Sequence, residues 1–156
     1  MPNADELFAR HHRDIYRYLV HMTGRAEDAE DLAQEVFLRV VRNLPNGGPV
    51  GHERGWVFSI ARNLLLDRHR SNGIRNTTVA PRELAQRGTQ GLAFDLNQSL
   101  ARLPEEDREV FLLKEVGGFT YQEIADTCGC TVEAVRARLY RTRLVLRTMM
   151  TPGAAR

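Results

Sequence analysis

The sequence predicts an all-α protein of two small helical domains joined by a flexible linker, the second containing a helix-turn-helix. Three observations predict it. Apolar residues recur at helical spacing, most cleanly in Ala29, Leu32, Ala33, Val36, Phe37, Val40, Val41 and Leu44, which follow i, i+3, i+4, i+7, i+8, i+11, i+12, i+15. A polar stretch rich in Gly, Thr, Asn and Gln, SNGIRNTTVAPRELAQRGTQG, lacks sustained periodicity and is longer than a loop inside one compact domain usually is. The stretch TYQEIADTCGCTVEAVRARLYRTRLVLR reads as two helices around a glycine turn. The predicted divisions are a first domain over 1–71, a tether over 72–95 and a second domain over 96–150.

Composition fits this reading. A chain of 156 residues holds one domain or two small ones, and 42% hydrophobic with 27% charged residues suits a soluble protein with real cores. Net charge is only +2, but it is segregated: residues 27–44 carry five acids and two arginines, residues 131–147 five arginines and one acid. One partner surface is therefore expected to be basic and the other phosphate. No long apolar run follows a basic start, so no signal peptide is read, and no stretch approaches the roughly 20 apolar residues of a membrane span. The expectation is a cytoplasmic protein with no membrane insertion. Cys128 and Cys130 are too few for a disulfide framework and too close to bond to each other. They lack a second pair or a nearby histidine at zinc spacing, so no metal and no cofactor is expected, and Cys128 is read as a small core residue.

In chain order, Asp5 can cap a first helix to about Met22, with Phe8, Ile15, Leu19 and Met22 as its stripe and Gly24 as its end. His11, His12 and His21 have no acid or cysteine at ligand spacing and are read as surface or packing residues. The second helix, 27–44, has its acids toward its N-terminus and Arg39 and Arg42 toward its C-terminus, which suits the helix dipole. Asp31, Gln34, Glu35 and Leu38 sit off its apolar stripe, and an exposed leucine among acids suits docking as well as it suits a solvated face. PNGGPVG, 45–51, is a loop. The third helix, 53–70, has Trp56, Val57, Ile60, Ala61, Leu64 and Leu65 as its stripe, with Ser59, Arg62, Asn63 and Arg70 facing elsewhere. Trp56 at a helix start is ordinarily core, but with Phe58 it also suits stacking beside nucleic acid.

A short helix over 81–86 fits within the tether. The second domain opens with Leu96, Leu100 and Leu103, followed by a helix over 104–116 with Pro104 at its start, Val110, Leu113 and Val116 inward, and Gly117 and Gly118 at its end. Thr120 and Glu123 make a capping box for the next helix, Gly129 ends it, and Thr131 caps a last helix with Val132, Val135, Leu139 and Leu146 on one side. The other side carries Arg136, Tyr140, Arg143 and Arg147 with Arg141 beside them, as in a recognition helix that enters the DNA major groove. The second domain is thus four short helices, and the tail from Thr151 is expected to fray.

The runs AEDAEDLAQEVFLRVVRNL, RGWVFSIARNLLLDRHR and LARLPEEDREVFLLKEVGGFTYQEIADTCGCTVEAVRARLYRTR resemble the extracytoplasmic-function (ECF) group of bacterial sigma factors, the small promoter-specificity subunits of RNA polymerase. The resemblance covers roughly 7–70 and 96–147, in the family's order and with a linker between. It implies that 1–71 is sigma domain 2, with Asp31, Gln34, Glu35 and Leu38 docking on the clamp helices of the largest subunit of core RNA polymerase. It implies that Trp56, Arg62, Asn63, Arg68 and Arg70 hold the melted minus-ten element, with Asn63 at a base flipped from the non-template strand and the 45–53 loop enclosing that base. It implies that Arg136, Ala137, Tyr140, Arg141 and Arg143 of domain 4 contact promoter DNA at the minus-35 element, and that an anti-sigma factor holds the protein inactive. The sequence departs from the family where Glu133 stands at a usual glycine and Ala137 at a frequent serine. Glu133 can accept from a cytosine amino group and Ala137 can only offer apolar contact, so the minus-35 sequence is left open.

Two other readings differ in kind. A duplex-binding regulator using only 120–147 predicts stable dimers and binding without polymerase. A small hydrolase would need a nucleophile elbow, a phosphate loop or an H-E-x-x-H, and the sequence has none of these. The chain is therefore read as a non-enzyme with no catalytic residues.

Overall fold

The computed structural model describes residues 3–46, 53–72 and 92–150. The loop, the short helix over 81–86, most of the tether and the tail from Thr151 lie wholly or largely outside them. The chain divides into two compact units, Met1–Thr78 and Val79–Arg156. Among the described residues there are seven α-helices and no strand.

The first unit holds α1 (Ala4–Thr23), α2 (Ala26–Asn43), a single 3-10 turn (Leu44–Asn46) and α3 (Glu53–Asn72). Each helix packs on the other two. Asn3, not Asp5, caps α1: its side-chain oxygen accepts from the Glu6 N–H at 2.8 Å. Leu7, His11, Ile15, Tyr18 and Leu19 are buried, while Phe8 is 49% exposed, and the helix begins two residues earlier than a cap at Asp5 allows. Gly24 ends α1 at φ 78°, as expected.

In α2 the buried residues are Ala29, Leu32, Val36 and Val40. Val41, expected among them, is 54% exposed. At 3.6 residues per turn it lies about 140° round the helix from Val36, beyond the face that α1 and α3 cover. Phe37 is half-buried and meets Phe8 edge to face at 5.1 Å, and Phe8 stacks on His12 at 4.5 Å. In α3 the buried side is Val57, Phe58, Ala61 and Leu64, with Trp56, Ile60 and Leu65 only half-buried on its flanks. Phe58 packs edge to face on Tyr18 at 5.4 Å, so it is a core residue and not a stacking platform. Each large apolar side chain fully removed from water contributes about 2 kcal/mol, which makes this three-helix core the main source of the unit's stability.

The second unit holds α4 (Leu92–Ala101), α5 (Glu105–Glu115), α6 (Tyr121–Cys128) and α7 (Val132–Met150). The first turn of α4 falls in the stretch read as tether. Pro104 is the N-cap of α5 rather than its first helical residue. Val110, Leu112 and Leu113 of α5 are buried, and Val116 is half-buried. At Gly117 the chain passes so close to α5 that an added Cβ would meet the Leu113 carbonyl oxygen at 2.7 Å. α7 packs against α4, α5 and α6.

Candidate functional site

The second unit presents its charge on α7, and three local features place that helix. Thr120 Oγ1 accepts from the Glu123 N–H at 3.1 Å while Glu123 accepts from the Thr120 N–H at 2.8 Å, so both halves of the capping box are made. Gly129 adopts φ 70°, ψ 37°, and the N–H groups of Gly129 and Cys130 both donate to the Ala125 carbonyl, closing α6. Thr131 Oγ1 then accepts from the Ala134 N–H at 3.0 Å and starts α7. Val135, Leu139, Thr142 and Leu146 form the buried side of α7, at i, i+4, i+7 and i+11, and Val132 is half-buried. Thr142 was not expected there; its hydroxyl is wholly buried with no hydrogen-bond partner.

The outward side of α7 carries every residue expected to meet duplex DNA. Arg136, Ala137, Tyr140, Arg141 and Arg143 are all exposed, Tyr140 at 70%. They are not equivalent. Arg141 donates to Asp107 at 3.3 Å, and Arg143 to Glu115 at 3.2 Å. Arg138 lies 3.6 Å from Glu106. The three acids are all on α5, which therefore grips α7 from both flanks: Glu106 and Asp107 at one end, Glu115 at the other. Arg143 also hydrogen-bonds Tyr121, and this bond, partly opposed by burial and aided by Glu115, raises its pKa above the usual arginine value. Sequence reasoning missed Asp107, Glu115 and Tyr121 because the partners lie 34, 28 and 22 residues away, where no periodic signal reaches. Cys128 is half-buried, with its thiol 3.7 Å from Glu109. Among the described residues no three His, Cys, Asp or Glu side chains gather as they would to hold a metal ion.

In the first unit, Asp31, Gln34, Glu35 and Leu38 share one side of α2, at i, i+3, i+4 and i+7, with Leu38 50% exposed. Val41 extends this strip. Glu35 is held by Arg39 at 3.5 Å and Arg42 at 3.7 Å on its own helix, so its charge is partly neutralised. On α3, Trp56, Asn63 and Arg70 fall on one line, at i, i+7 and i+14. Asn63 and Arg70 are exposed and Arg62 is half-buried. Arg68 lies about 120° away from Trp56 round the helix, and donates to Asp28 of α2 at 3.2 Å. The structure thus puts Trp56, Asn63 and Arg70 on one line and sets Arg68 and Arg62 apart from it, on opposite sides.

At the head of α3, Glu53 accepts from Arg10 at 2.7 Å and from His11 at 2.6 Å. Partial burial pushes the Glu53 pKa up, but the hydrogen bonds from His11 and Arg10 outweigh it and the net shift is downward. Arg54 reinforces the same junction through Asp14 at 2.8 Å.

Comparison with known proteins agrees with this two-part layout. Residues 7–74 match the model of sigma-70 region 2, and residues 93–146 that of sigma-70 region 4. The chain is 35% identical over 158 residues to the ECF RNA polymerase sigma factor SigE of Mycolicibacterium smegmatis, covering 94% of this chain and 61% of that protein. It is 31% identical over 139 residues to the ECF RNA polymerase sigma factor EcfG of Rhodopseudomonas palustris, covering 85% of this chain and 77% of that one. Among solved structures, the sigma factor RpoE in complex with the anti-sigma factor NepR from Bartonella quintana shares the fold, with TM-score 0.74, 22% identity and coverage of 94% of this chain and 95% of that one. CnrH in complex with the cytosolic domain of CnrY gives TM-score 0.67 at 26% identity, over 92% of this chain and 84% of that one. The chain belongs to the extracytoplasmic-function group of RNA polymerase sigma factors, whose work is promoter-specific transcription initiation.

Proposed function

We propose that this protein acts in the cytoplasm by docking its first unit on the clamp helices of core RNA polymerase and using both units to select promoters, with no catalytic step of its own. Asp31, Gln34, Glu35 and Leu38 form the docking strip, in which Leu38 supplies apolar contact and the acids meet a basic partner. Trp56, Asn63 and Arg70 face the melted minus-ten strand, with Arg62 at the flank of that line. Flipping a base costs a few kcal/mol, so an aromatic wall, an amide and cations beside it supply what the flipped base loses. Arg68 joins them only if it releases Asp28. Arg136, Ala137, Tyr140, Arg141 and Arg143 meet the minus-35 duplex. Because the two units belong to one chain, two weak attachments act on one polymerase through effective concentration. An anti-sigma protein is the proposed inhibitor.

The observation that carries the reading is the outward side of α7, where arginines and a 70% exposed tyrosine stand on a helix whose opposite side is core. The test is in vitro transcription with purified core polymerase on genomic fragments. New start sites that depend on this protein are the expected result. Identical initiation in its absence would overturn the proposal.

A further inference from the structure

α3 carries apolar residues over more of its circumference than its buried side uses. Val57, Phe58, Ala61 and Leu64 are buried, Trp56 and Ile60 are half-buried on one flank, Leu65 is half-buried on the other, and Leu66 is 39% exposed. Hydrophobic attraction is non-directional, so with apolar residues on both flanks it sets the rotation of this helix about its own axis only loosely. Polar ties to α1 set it more sharply. Glu53 accepts from Arg10 at 2.7 Å and meets His11 at 2.6 Å, and Arg54 donates to Asp14 at 2.8 Å. Glu53 and Arg54 are adjacent, hence about 100° apart round α3. Bonds from two positions that far apart to one neighbouring helix fix both the rotation and the height of α3. The signs are crossed as well. A slide of one turn along α1 would set Glu53 against Asp14, or Arg54 against Arg10, like charge on like.

We propose that the Arg10–His11–Glu53 and Asp14–Arg54 ties are positioning contacts for promoter reading: they set the rotation of α3, and through it the base preference at Asn63. The proposal rests on the reading of Trp56, Asn63 and Arg70 as the minus-ten surface. As sources of stability the ties are poor. The Asp14 and Arg54 side chains are 26% and 34% exposed, and a partly hydrated ion pair adds little to folding. His11 is buried with its Nδ1 unpartnered, a cost that an apolar side chain would not carry. Their geometric effect is large by comparison. At the roughly 5–6 Å radius of a helix with its side chains, a rotation of about 10° moves the Asn63 amide by about 1 Å. A displacement of that size takes a hydrogen bond to a base edge out of its working range.

The test is equilibrium binding of the full chain with core polymerase to a single-stranded oligonucleotide. Its sequence is the non-template strand of a start site mapped by transcription, with each of the four bases in turn at each minus-ten position. Asp14→Asn and Arg54→Gln are each expected to lower the preference for the best base about fivefold. The two together are expected to lower it no further, because both break the same tie. Affinity of each variant for core polymerase is expected to match wild type, which reports that the first unit is folded. Unchanged base preference in the single variants, additive losses in the double variant, or core binding lost in step with base preference would each overturn the positioning role. Asn63→Ala tests the reading beneath separately. It should abolish preference at one position, and preferences identical to wild type would sink that reading whatever the ties do.

Discussion

Glu53, at the first residue of α3, lies 2.6 Å from His11 Nε2 in the middle of α1, and its other carboxylate oxygen lies 2.7 Å from Arg10. The His11 side chain is only 6% exposed. This junction ties the start of α3 to α1 immediately after the 47–52 segment. Because folding lowers the Glu53 pKa, the folded state holds fewer protons at this site than the unfolded chain. Its stabilisation is therefore fully present above the ordinary carboxylate value of 4.5 and is lost as pH falls through the lower folded value. Glu53→Gln is expected to cost about 1 kcal/mol at neutral pH and to flatten the acid limb of a melting-temperature profile. An acid limb identical to wild type would refute this.

Leu38 is 50% exposed on α2. Leu38→Arg should change stability by less than about 0.5 kcal/mol, while weakening polymerase binding at least tenfold, a loss of about 1.4 kcal/mol. Affinity for isolated duplex should stay as it is. Native mass or fluorescence titration with core polymerase gives the first number and a gel shift the second.

Arg136 stands on the outward strip of α7, against the Tyr121 ring. Arg136→Ala should reduce promoter selection in the transcription assay, with the thermal midpoint within a degree or two of wild type. Unaltered start sites and yields would remove Arg136 from the contact set.

Gly129 has open space where a side chain would go, but its φ of 70° is in the left-handed region. Gly129→Ala should therefore destabilise the second unit by about 1 kcal/mol through backbone strain alone. Gly117→Ala should cost more, because there a Cβ meets backbone. Denaturant melts that ranked the two the other way would contradict the geometry.

Thr142 buries a hydroxyl with no partner in the α7 core. Thr142→Val keeps the shape and removes the unsatisfied group, so a gain of about 1 kcal/mol is expected. A loss of stability on chemical unfolding would show that the hydroxyl is satisfied after all.

The strongest signals in the sequence were local ones. Thr120 and Glu123 bond as the capping box requires, Gly24 and Gly129 take the left-handed conformation, and α2 buries Ala29, Leu32, Val36 and Val40 on the expected period. These depend on neighbours three or four residues away. The errors arose where two registers fit the same letters. Phe8, Ile15, Leu19 and Met22 make as good a stripe as Leu7, Ile15, Tyr18 and Leu19, and only the fold shows that Leu7 is buried while Phe8 stays half exposed against Phe37 and His12. In the candidate interfaces, the types and sides of the residues were legible but not their partners. Nothing within a few positions of Arg68, Arg141 or Arg143 says that Asp28, Asp107 or Glu115 will hold it.

α7 is at once the helix that α4, α5 and α6 all touch and the helix with the arginine strip. The two duties fall on opposite sides of one cylinder. Evolution can therefore revise the letters at 136, 137, 140 and 144 without disturbing the inward letters at 135, 139 and 146. New target preferences are open to lineages of this protein by drift along a single stripe, with the scaffold's heredity left untouched.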